Sequence, residues 1–234
     1  MIVAPSAVEH AVLDALRTVR DPELDEDLVA LRFVAGITLD EDGSVELRLR
    51  LPTYFCAPNF AFLMAADAQA AVAAVPGVRS VRVLLDDHYA SAEINGGLAA
   101  GGDFDRVFGA EADGNGLDEL RELFRRKAFL ARQHRLCESL LAAGRTHEEL
   151  AAATLADVPS TPEGMTYLAR RAELGLAVDE RAALVVTPAG EPVGADRMAR
   201  QLKIGRSVRV SIEGNAGLCR GLLETRYGRE ETTA

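Results

Sequence analysis

One cysteine, Cys56, lies where an expected strand gives way to an expected helix, and it is the residue of this chain best placed for chemistry. Residues 45–51 alternate apolar and polar side chains with the period of a half-buried strand, and Pro52 ends this run. An Ala-rich segment at 59–75 is typical of a helix. Backbone N–H groups at a helix N-terminus carry partial positive charge and stabilise a thiolate. The position predicts a reactive thiol, and a buried, inert cysteine is the alternative.

Two carboxylates, Asp21 and Glu23, flank Pro22 early in the chain. A proline disfavours the helical backbone for the residue before it, so Asp21 is expected to be extended or in a turn. A backbone fixed in this way can aim a carboxylate. The acidic residues at 25–27 have no such constraint and are interpreted as a solvated surface.

The elements that would position these residues alternate between helical and strand patterns. In chain order they are a helix at 6–19, strands at 33–39 and 45–51, a helix at 59–75 and a strand at 78–85. Asp40-Glu41-Asp42-Gly43 predicts a hairpin turn, and Pro76-Gly77 is a helix stop signal. The order helix, strand, strand, helix, strand predicts a small two-layer α/β domain, with helices on one face of a sheet.

The rest of the chain predicts a mostly helical domain of unknown role at 117–234, after a glycine-rich linker at 96–116. The charge balance also changes near residue 100. Residues 1–100 carry 15 Asp/Glu and 7 Lys/Arg, whereas residues 101–234 carry 21 and 19. With residues 1–95 as the first domain, the expected fold class of the whole chain is α+β.

Local patterns in the second domain predict short strands among the helices. Helices are expected at 117–143, from 146, at 161–174 and at 195–202, strands at 182–187 and 207–212, and a hairpin at 185–193. A final helical segment holds Cys219. Two helices followed by a strand resemble a helix-turn-helix with a wing. DNA binding is not expected, because the charges of the second helix are mixed and the whole chain is acidic.

Composition excludes several classes of protein. A net charge of −10 argues against non-specific nucleic-acid binding. The sequence contains no apolar run of about 18 residues, so no membrane helix is expected. The three cysteines, Cys56, Cys137 and Cys219, are far apart and contain no C-x-x-C pair, so no zinc knuckle can be identified. Scattered cysteines fit a reducing compartment, and we expect a soluble cytoplasmic protein.

Several motifs fall in an order that resembles a known family. They are Asp21-Pro22-Glu23, a threonine three residues before Cys56, and an Ala-rich helix closing with Val75-Pro76-Gly77-Val78. Residues 8–90 resemble the small metal–sulfur cluster assembly domain of SufT-like iron–sulfur maturation factors and of the phenylacetate-CoA oxygenase accessory protein. The resemblance implies an α/β fold and a non-enzymatic role in assembling or delivering iron–sulfur clusters to a client enzyme.

The resemblance also implies which residues carry that role. The family's reactive cysteine matches Cys56, its turn threonine Thr53 and its acidic motif Asp21 and Glu23, with Pro22 and Pro58 as supporting residues of the motifs. The family usually has proline directly after the cysteine, whereas this chain has Ala57. The departure and the long second domain indicate a specialised branch, similar to accessory proteins of bacterial multicomponent di-iron oxygenases.

One cysteine cannot hold a cluster alone, because such clusters normally take four protein ligands. We therefore expect an iron–sulfur cluster or iron to bind transiently at Cys56, shared across a homodimer or with the client. Asp21 or Glu23 would act as a hydrogen-bond partner or oxygen ligand. Cys56, Asp21 and Glu23 form the predicted metal-binding set.

A non-catalytic chaperone or scaffold for an oxygenase subunit is the competing function, with Cys56 as a structural residue. The acidic first domain and the large second domain favour it. A hydrolase or oxidoreductase finds no support, because the sequence shows no Ser/His/Asp grouping, nucleotide loop or metal quartet.

Overall fold

The structure, a computed structural model, describes residues 7–109 and 117–228. The chain divides into two units. The first contains the described residues up to Glu119 together with those from Ala216 onward, and the second contains Leu120–Asn215. Residues from Ala216 onward thus group with the first unit, although the sequence pattern assigned them to the second domain.

The first unit begins with alternating helices and strands. In chain order they are α1 (Ala7–Leu16), β1 (Arg20–Asp21), β2 (Glu26–Asp27), β3 (Val34–Leu39), β4 (Ser44–Arg50), α2 (Pro58–Ala73), β5 (Ser80–Asp86), α3 (Ser91–Ala99) and α4 (Phe104–Phe108). The short strands β1 and β2 pair antiparallel across the Pro22 turn. The other three form one sheet in the order β3-β4-β5, with β3 and β4 antiparallel and β4 and β5 parallel.

The side chains of the central strand β4 alternate between the buried and the exposed face of the sheet. Val45, Leu47 and Leu49 are buried, and Arg48 between them is exposed and pairs with Asp86 of β5 at 2.9 Å. Successive side chains of a strand point to opposite faces, so one face of β4 is apolar and faces the core. The register with β5 runs without interruption from Ser44 opposite Ser80 to Arg50 opposite Asp86.

Helix α2 connects the parallel strands β4 and β5 and packs on the sheet. Its buried alanines, Ala61, Ala65 and Ala68, recur at helical spacing together with Val72. Small side chains let the helix backbone approach the strands closely. Phe62 also contacts α4, where the rings of Phe104 and Phe108 lie 5.8 Å and 6.5 Å from its own ring.

The described part of the expected linker, residues 96–109, contains the end of α3 and all of α4. The side chain of Asn95 fixes α3 to β5, because it accepts from the N–H of Leu85 at 2.8 Å and donates to the Leu85 carbonyl at 3.2 Å. The rest of that linker, residues 110–116, lies outside the described residues.

Four helices carry most of the remaining chain. They are α5 (Asp118–Ala142), α6 (His147–Ala152), α7 (Pro162–Glu173) and α8 (Ala195–Tyr227). The helix expected from 146 begins with a capping box, in which Thr146 and Glu149 bond each other's backbone N–H groups. In the core of the second unit, the Gln133 side chain pairs with both the N–H and the carbonyl of Val186 at 3.0 Å. The Gln133 amide thus satisfies both backbone groups of Val186, as a neighbouring strand would do in a sheet.

The strands predicted at 182–187 and 207–212 are wrong. Residues 207–212 lie inside the single helix α8, and residues 182–187 contribute only isolated bridges, Thr154 with Ala183 and Val186 with Pro192. The hairpin expected at 185–193 is present as one tight turn, in which the Thr187 N–H donates to the Glu191 carbonyl at 2.9 Å and the Val193 N–H to the Val185 carbonyl at 3.0 Å. Alternation at 207–212 imitates a strand, but helical contacts override it. Arg209 binds Glu213 one turn further along α8, and it also binds Glu138 of α5. Gly205 lies against Leu130 and His134 of α5, where a side chain would collide.

The expected fold class is confirmed. A small sheet-containing domain occupies the N-terminal part of the chain, and the C-terminal part is mostly helical. None of the helices in the described residues is long and apolar enough to cross a membrane.

Candidate functional site

A cavity of about 150 Å³ in the first unit contains the residues expected to carry the chemistry. Four of its lining side chains are polar or ionisable: Asp21, Glu23, Cys56 and Cys219. The remaining lining residues are apolar: Leu24, Phe33, Leu51, Pro52, Ala57, Phe60 and Met64. Cys56 and both predicted carboxylates therefore line one space. A second cysteine, from the far end of the chain, lines it too.

Cys56 lies two residues before Pro58, the first residue of α2, and its thiol is partly buried. Its Sγ atom is 3.3 Å from the hydroxyl oxygen of Thr53. That oxygen also accepts from the N–H of Phe55 at 3.2 Å, and since a thiolate can only accept, the Thr53 hydroxyl is the donor when Cys56 is ionised. Thr53 thus holds the turn together and places its hydroxyl beside the Cys56 sulfur. This supports the pairing of Thr53 with Cys56 that the motif implied.

A buried histidine fixes the same loop from β5. The Nε2 atom of His88 donates to the Cys56 carbonyl at 2.7 Å, and Nδ1 accepts from the N–H of Ala90 at 3.2 Å. This pairing requires the neutral Nε2–H tautomer, and burial lowers the pKa of His88, which favours the neutral form. The loop is also tied by the Tyr89 N–H, which donates to the Tyr54 carbonyl at 3.1 Å. Together these bonds set the position of Cys56.

Asp21 is buried at the start of the acidic turn. One of its oxygens accepts from the N–H groups of Glu23 and Leu24 at 2.8 Å and 2.9 Å, which closes the turn around Pro22. Burial raises the pKa of the Asp21 carboxyl from 3.8 to about 6, although both hydrogen bonds act in the opposite direction. The nearby charges of Glu23 and Glu26 raise it further. Asp21 is therefore a carboxyl that exchanges its proton close to neutral pH.

The last turns of α8 bring Cys219 to the cavity. Ala216 and Leu223, on the same helical face as Cys219, are buried in the core of the first unit. Arg220 forms an ion pair with Glu26 of β2 at 2.7 Å. Arg226 donates to the carbonyls of Leu51 and Asp87, just beyond the ends of β4 and β5, at 3.2 Å and 2.6 Å. The guanidinium thus satisfies backbone oxygens at the edge of the sheet where the Cys56 loop departs.

Cys219 experiences the negative charges around the cavity. Burial raises the pKa of its thiol to about 11, and Asp21, Cys56 and Glu23 raise it in the same direction, while Arg220 opposes them. Cys137 differs from Cys219 because it is fully buried in an apolar core of the second unit. Burial alone raises the pKa of its thiol to about 12. The two thiols are therefore perturbed for different reasons.

The arrangement does not amount to a closed metal site. Within residues 7–109 and 117–228, no group of three or more His, Cys, Asp or Glu side chains is placed to hold a metal ion. The predicted set of Cys56, Asp21 and Glu23 shares a cavity without converging on one point, and its role in metal binding stays a prediction. The donor set nevertheless fits iron, because thiolates are soft ligands and carboxylates hard ones.

Sequence reasoning missed the contributions of Cys219 and His88. For Cys219 a signal existed: Ala216, Cys219 and Leu223 repeat at helical spacing, but two neighbouring glycines, Gly214 and Gly217, indicated a break in the helix. For His88 no signal existed, since its partner is a backbone carbonyl 32 residues away.

Comparison with known proteins agrees with the architecture of the first unit. A family model described as "Iron-sulfur cluster assembly protein" matches residues 9–85. An uncharacterized protein of Methanocaldococcus jannaschii is 32% identical over 84 residues, which are 36% of this chain and 86% of that protein. The matched residues include the β1–β2 turn, the sheet, Cys56 and α2, and they end before α3 and the C-terminal helices. Through this domain, the chain belongs to the iron–sulfur cluster assembly protein family.

Proposed function

We propose that the protein is an accessory factor in iron–sulfur cluster assembly that binds iron or a cluster transiently through Cys56. The observation that carries the proposal is the position of this thiol. Cys56 is partly exposed and lines a cavity with two carboxylates, inside the domain that matches the family. The family points to an accessory role rather than to catalysis.

The residues around Cys56 support reversible binding. A thiolate is the form of cysteine that binds a metal, and Thr53 is placed to donate a hydrogen bond to the sulfur. His88 bonds the Cys56 carbonyl and so holds the backbone of this residue beside the cavity. The carboxylates of Asp21 and Glu23 make the cavity favourable for a cation. Iron–sulfur clusters usually take four protein ligands, so further ligands would come from a second protein, which favours transfer over storage.

The second protein in this proposal is a client metalloenzyme. Three aromatic side chains next to Cys56 are exposed: Tyr54, Phe55 and Tyr89, of which Phe55 is 77% exposed. Their ring centres lie 5.0–6.3 Å apart, so they form one apolar group on the surface. Exposed aromatic groups of this kind are enriched where proteins bind one another. A di-iron oxygenase subunit as the client, the SufT-like branch and a homodimer remain predictions from the resemblance.

Anaerobic reconstitution with ferrous iron and sulfide tests the proposal. The wild-type chain is expected to gain the visible absorbance of an iron–sulfur chromophore, and Cys56→Ser to lose most of it. Cys137→Ser is the control, because Cys137 lies in the core of the second unit. Equal chromophore in wild type and Cys56→Ser would rule out Cys56 as the ligand.

A scaffold for the client is the second candidate, and the exposed aromatic group favours it. Co-expression with a client separates the two functions. If client solubility depends on Phe55 and survives Cys56→Ser, the scaffold explains the protein. If maturation of the client's metal centre is lost in Cys56→Ser while its solubility is kept, the assembly factor explains it.

A further inference from the structure

We propose that Cys219 is a second thiol ligand for the cargo bound at Cys56, so that the first unit presents a two-thiol site. This inference rests on the proposed function. The family match ends at residue 85, and Cys219 lies in the C-terminal helix beyond it. The second thiol is therefore a feature of this chain's own extension and not of the matched domain.

The first support is the cavity itself. Both cysteines line the same space of about 150 Å³, together with Asp21 and Glu23. Burial and the charge of Asp21 raise the pKa of the Cys219 thiol most, and Cys56 adds a smaller effect in the same direction, which weakens with distance between the two sulfurs. Both cysteines are partly exposed, unlike Cys137, which is completely buried as a packing cysteine would be.

The second support is the way in which α8 is fixed. Ala216 and Leu223 bury the helical face that carries Cys219, at 1% and 2% exposure. Arg220 binds Glu26 on one side of this face, and Arg226 binds two backbone carbonyls further along. Cys219 lies between these anchors, so its position relative to the acidic turn is set by several independent contacts. A loosely packed terminal helix would place no side chain reproducibly.

The third support is the charge of the cavity. The carboxylates of Asp21 and Glu23 line the cavity beside both thiols and favour a bound cation. When a thiophilic divalent cation binds, both thiols release their protons to solvent and two sulfur–metal bonds form. Two thiolates leave coordination positions open, in keeping with the lack of a complete metal-binding group among the described residues. A partner's ligands or a small thiol would complete the coordination.

Cadmium titration under anaerobic conditions tests the pair directly. Cd²⁺ bound by thiolates absorbs in the ultraviolet by charge transfer, and the intensity grows with the number of sulfur ligands. Cys56→Ser and Cys219→Ser are each expected to lose about half of this absorbance, since each removes one of the two thiolates. The affinity of each variant for Cd²⁺ should fall roughly tenfold or more. Loss of a residue that only supports a metal ligand often has an effect of this size. Cys137→Ser is the matched control and should bind like the wild type. Equal absorbance and affinity in wild type and Cys219→Ser would overturn the pair.

A trivalent arsenical gives an independent measure of proximity. Phenylarsine oxide condenses with two thiols to give one dithioarsenite and one water, and it needs the two sulfurs close together. We expect mass spectrometry to find the Cys56 and Cys219 peptides bridged by one arsenic, in the wild type and in Cys137→Ser. Absence of that bridge in folded wild-type protein would also overturn the proposal. Cys219→Ala, with circular dichroism as the folding check, ensures that a loss is not caused by serine at this site.

The outcomes separate this inference from the proposed function. A chromophore that needs Cys56 but is unchanged in Cys219→Ser would sustain the assembly role and overturn the two-thiol site. Cadmium binding through both thiols without any iron–sulfur chromophore would sustain the two-thiol site and overturn the assembly role.

Discussion

The three cysteines show how environment decides what one chemical group can do. Cys137 is buried among aliphatic side chains, and burial raises its pKa to about 12. Cys219 is partly exposed, with a pKa of about 11 that also reflects Asp21, Glu23 and Cys56. Cys56 is partly exposed, and its sulfur lies 3.3 Å from the Thr53 hydroxyl oxygen. A thiol reacts through its thiolate and only where a reagent can reach it.

Alkylation rates should therefore rank the thiols. At pH 8 we expect iodoacetamide to modify Cys56 first and Cys137 last, with a difference on the order of a hundredfold or more between them, since Cys137 is both buried and protonated. Peptide mapping over time measures the three rates in one sample. Denatured protein, in which all three should react alike, is the control. Equal rates for Cys56 and Cys137 in the folded chain would show that Cys56 is inert.

Asp21 should make stability depend on pH. Its pKa rises from 3.8 to about 6 on folding, so the folded state holds its proton more tightly and loses stability as pH rises between these values. Asp21→Asn keeps the oxygen that accepts from Glu23 and Leu24 but cannot ionise. Relative to wild type, the variant should gain up to about 3 kcal/mol of unfolding free energy between pH 4 and pH 7.

Urea unfolding across that pH range measures the difference, and Asp42→Asn is the matched control. Asp42 has a lowered pKa, because it accepts from Ser44 in the exposed hairpin turn. Its contribution is lost only as the pH falls below the ordinary carboxyl pKa of 3.8, so between pH 4 and pH 7 the difference between Asp42→Asn and wild type should stay nearly constant. A constant difference between Asp21→Asn and wild type would contradict burial as the cause.

At the level of elements, the site depends on contacts between segments that are distant in the chain. His88, just after β5, holds the loop that leads into α2. The end of α8 packs on the domain formed by residues near the N-terminus. Most of these elements form from their own local pattern, α8 being the exception, and none of them alone creates the cavity.

Leucine truncations on α8 should distinguish its two faces. Leu223 is 2% exposed in the core of the first unit, and Leu218 is 62% exposed. Leu223→Ala is expected to cost about 2–5 kcal/mol of unfolding free energy, because it leaves a cavity. Leu218→Ala should stay within about 0.5 kcal/mol of wild type, as surface changes usually do. Denaturant unfolding of both variants checks this, and equal losses would show that α8 does not pack as described.

At the level of the whole molecule, the first unit is built from both described ends of the chain. Residues from Ala216 onward join those up to Glu119, while Leu120–Asn215 form the second unit with their own apolar clusters. The family match covers only part of this first unit. The last part of α8 therefore extends the family domain rather than the helical unit that precedes it.

A chain that ends at Asn215 tests this organisation. It lacks the buried Leu223 and the two hydrogen bonds of Arg226, and a loss of more than about 4 kcal/mol is expected, a large share of the stability of an ordinary domain. Alkylation of Cys56 should also accelerate, because α8 no longer lines its cavity. Full-length Leu223→Ala is the control and should lose less. An unchanged unfolding midpoint and Cys56 rate would show that the C-terminal segment is dispensable for the first unit.

Local pattern was enough to predict the helix–strand–strand–helix–strand order, the position of Cys56 before α2 and the turn around Pro22. Alternation, helical spacing and proline act over a few residues, so a linear sequence displays them. At 207–212 the local alternation wrongly predicted a strand. The contact of Arg209 with Glu138 and the close approach of α5 at Gly205 keep this segment of α8 helical. That Cys219 lines the same cavity as Cys56, and that His88 bonds the Cys56 carbonyl, could be seen only in the folded chain. Such pairs are created by packing between distant segments, and no short-range pattern encodes them.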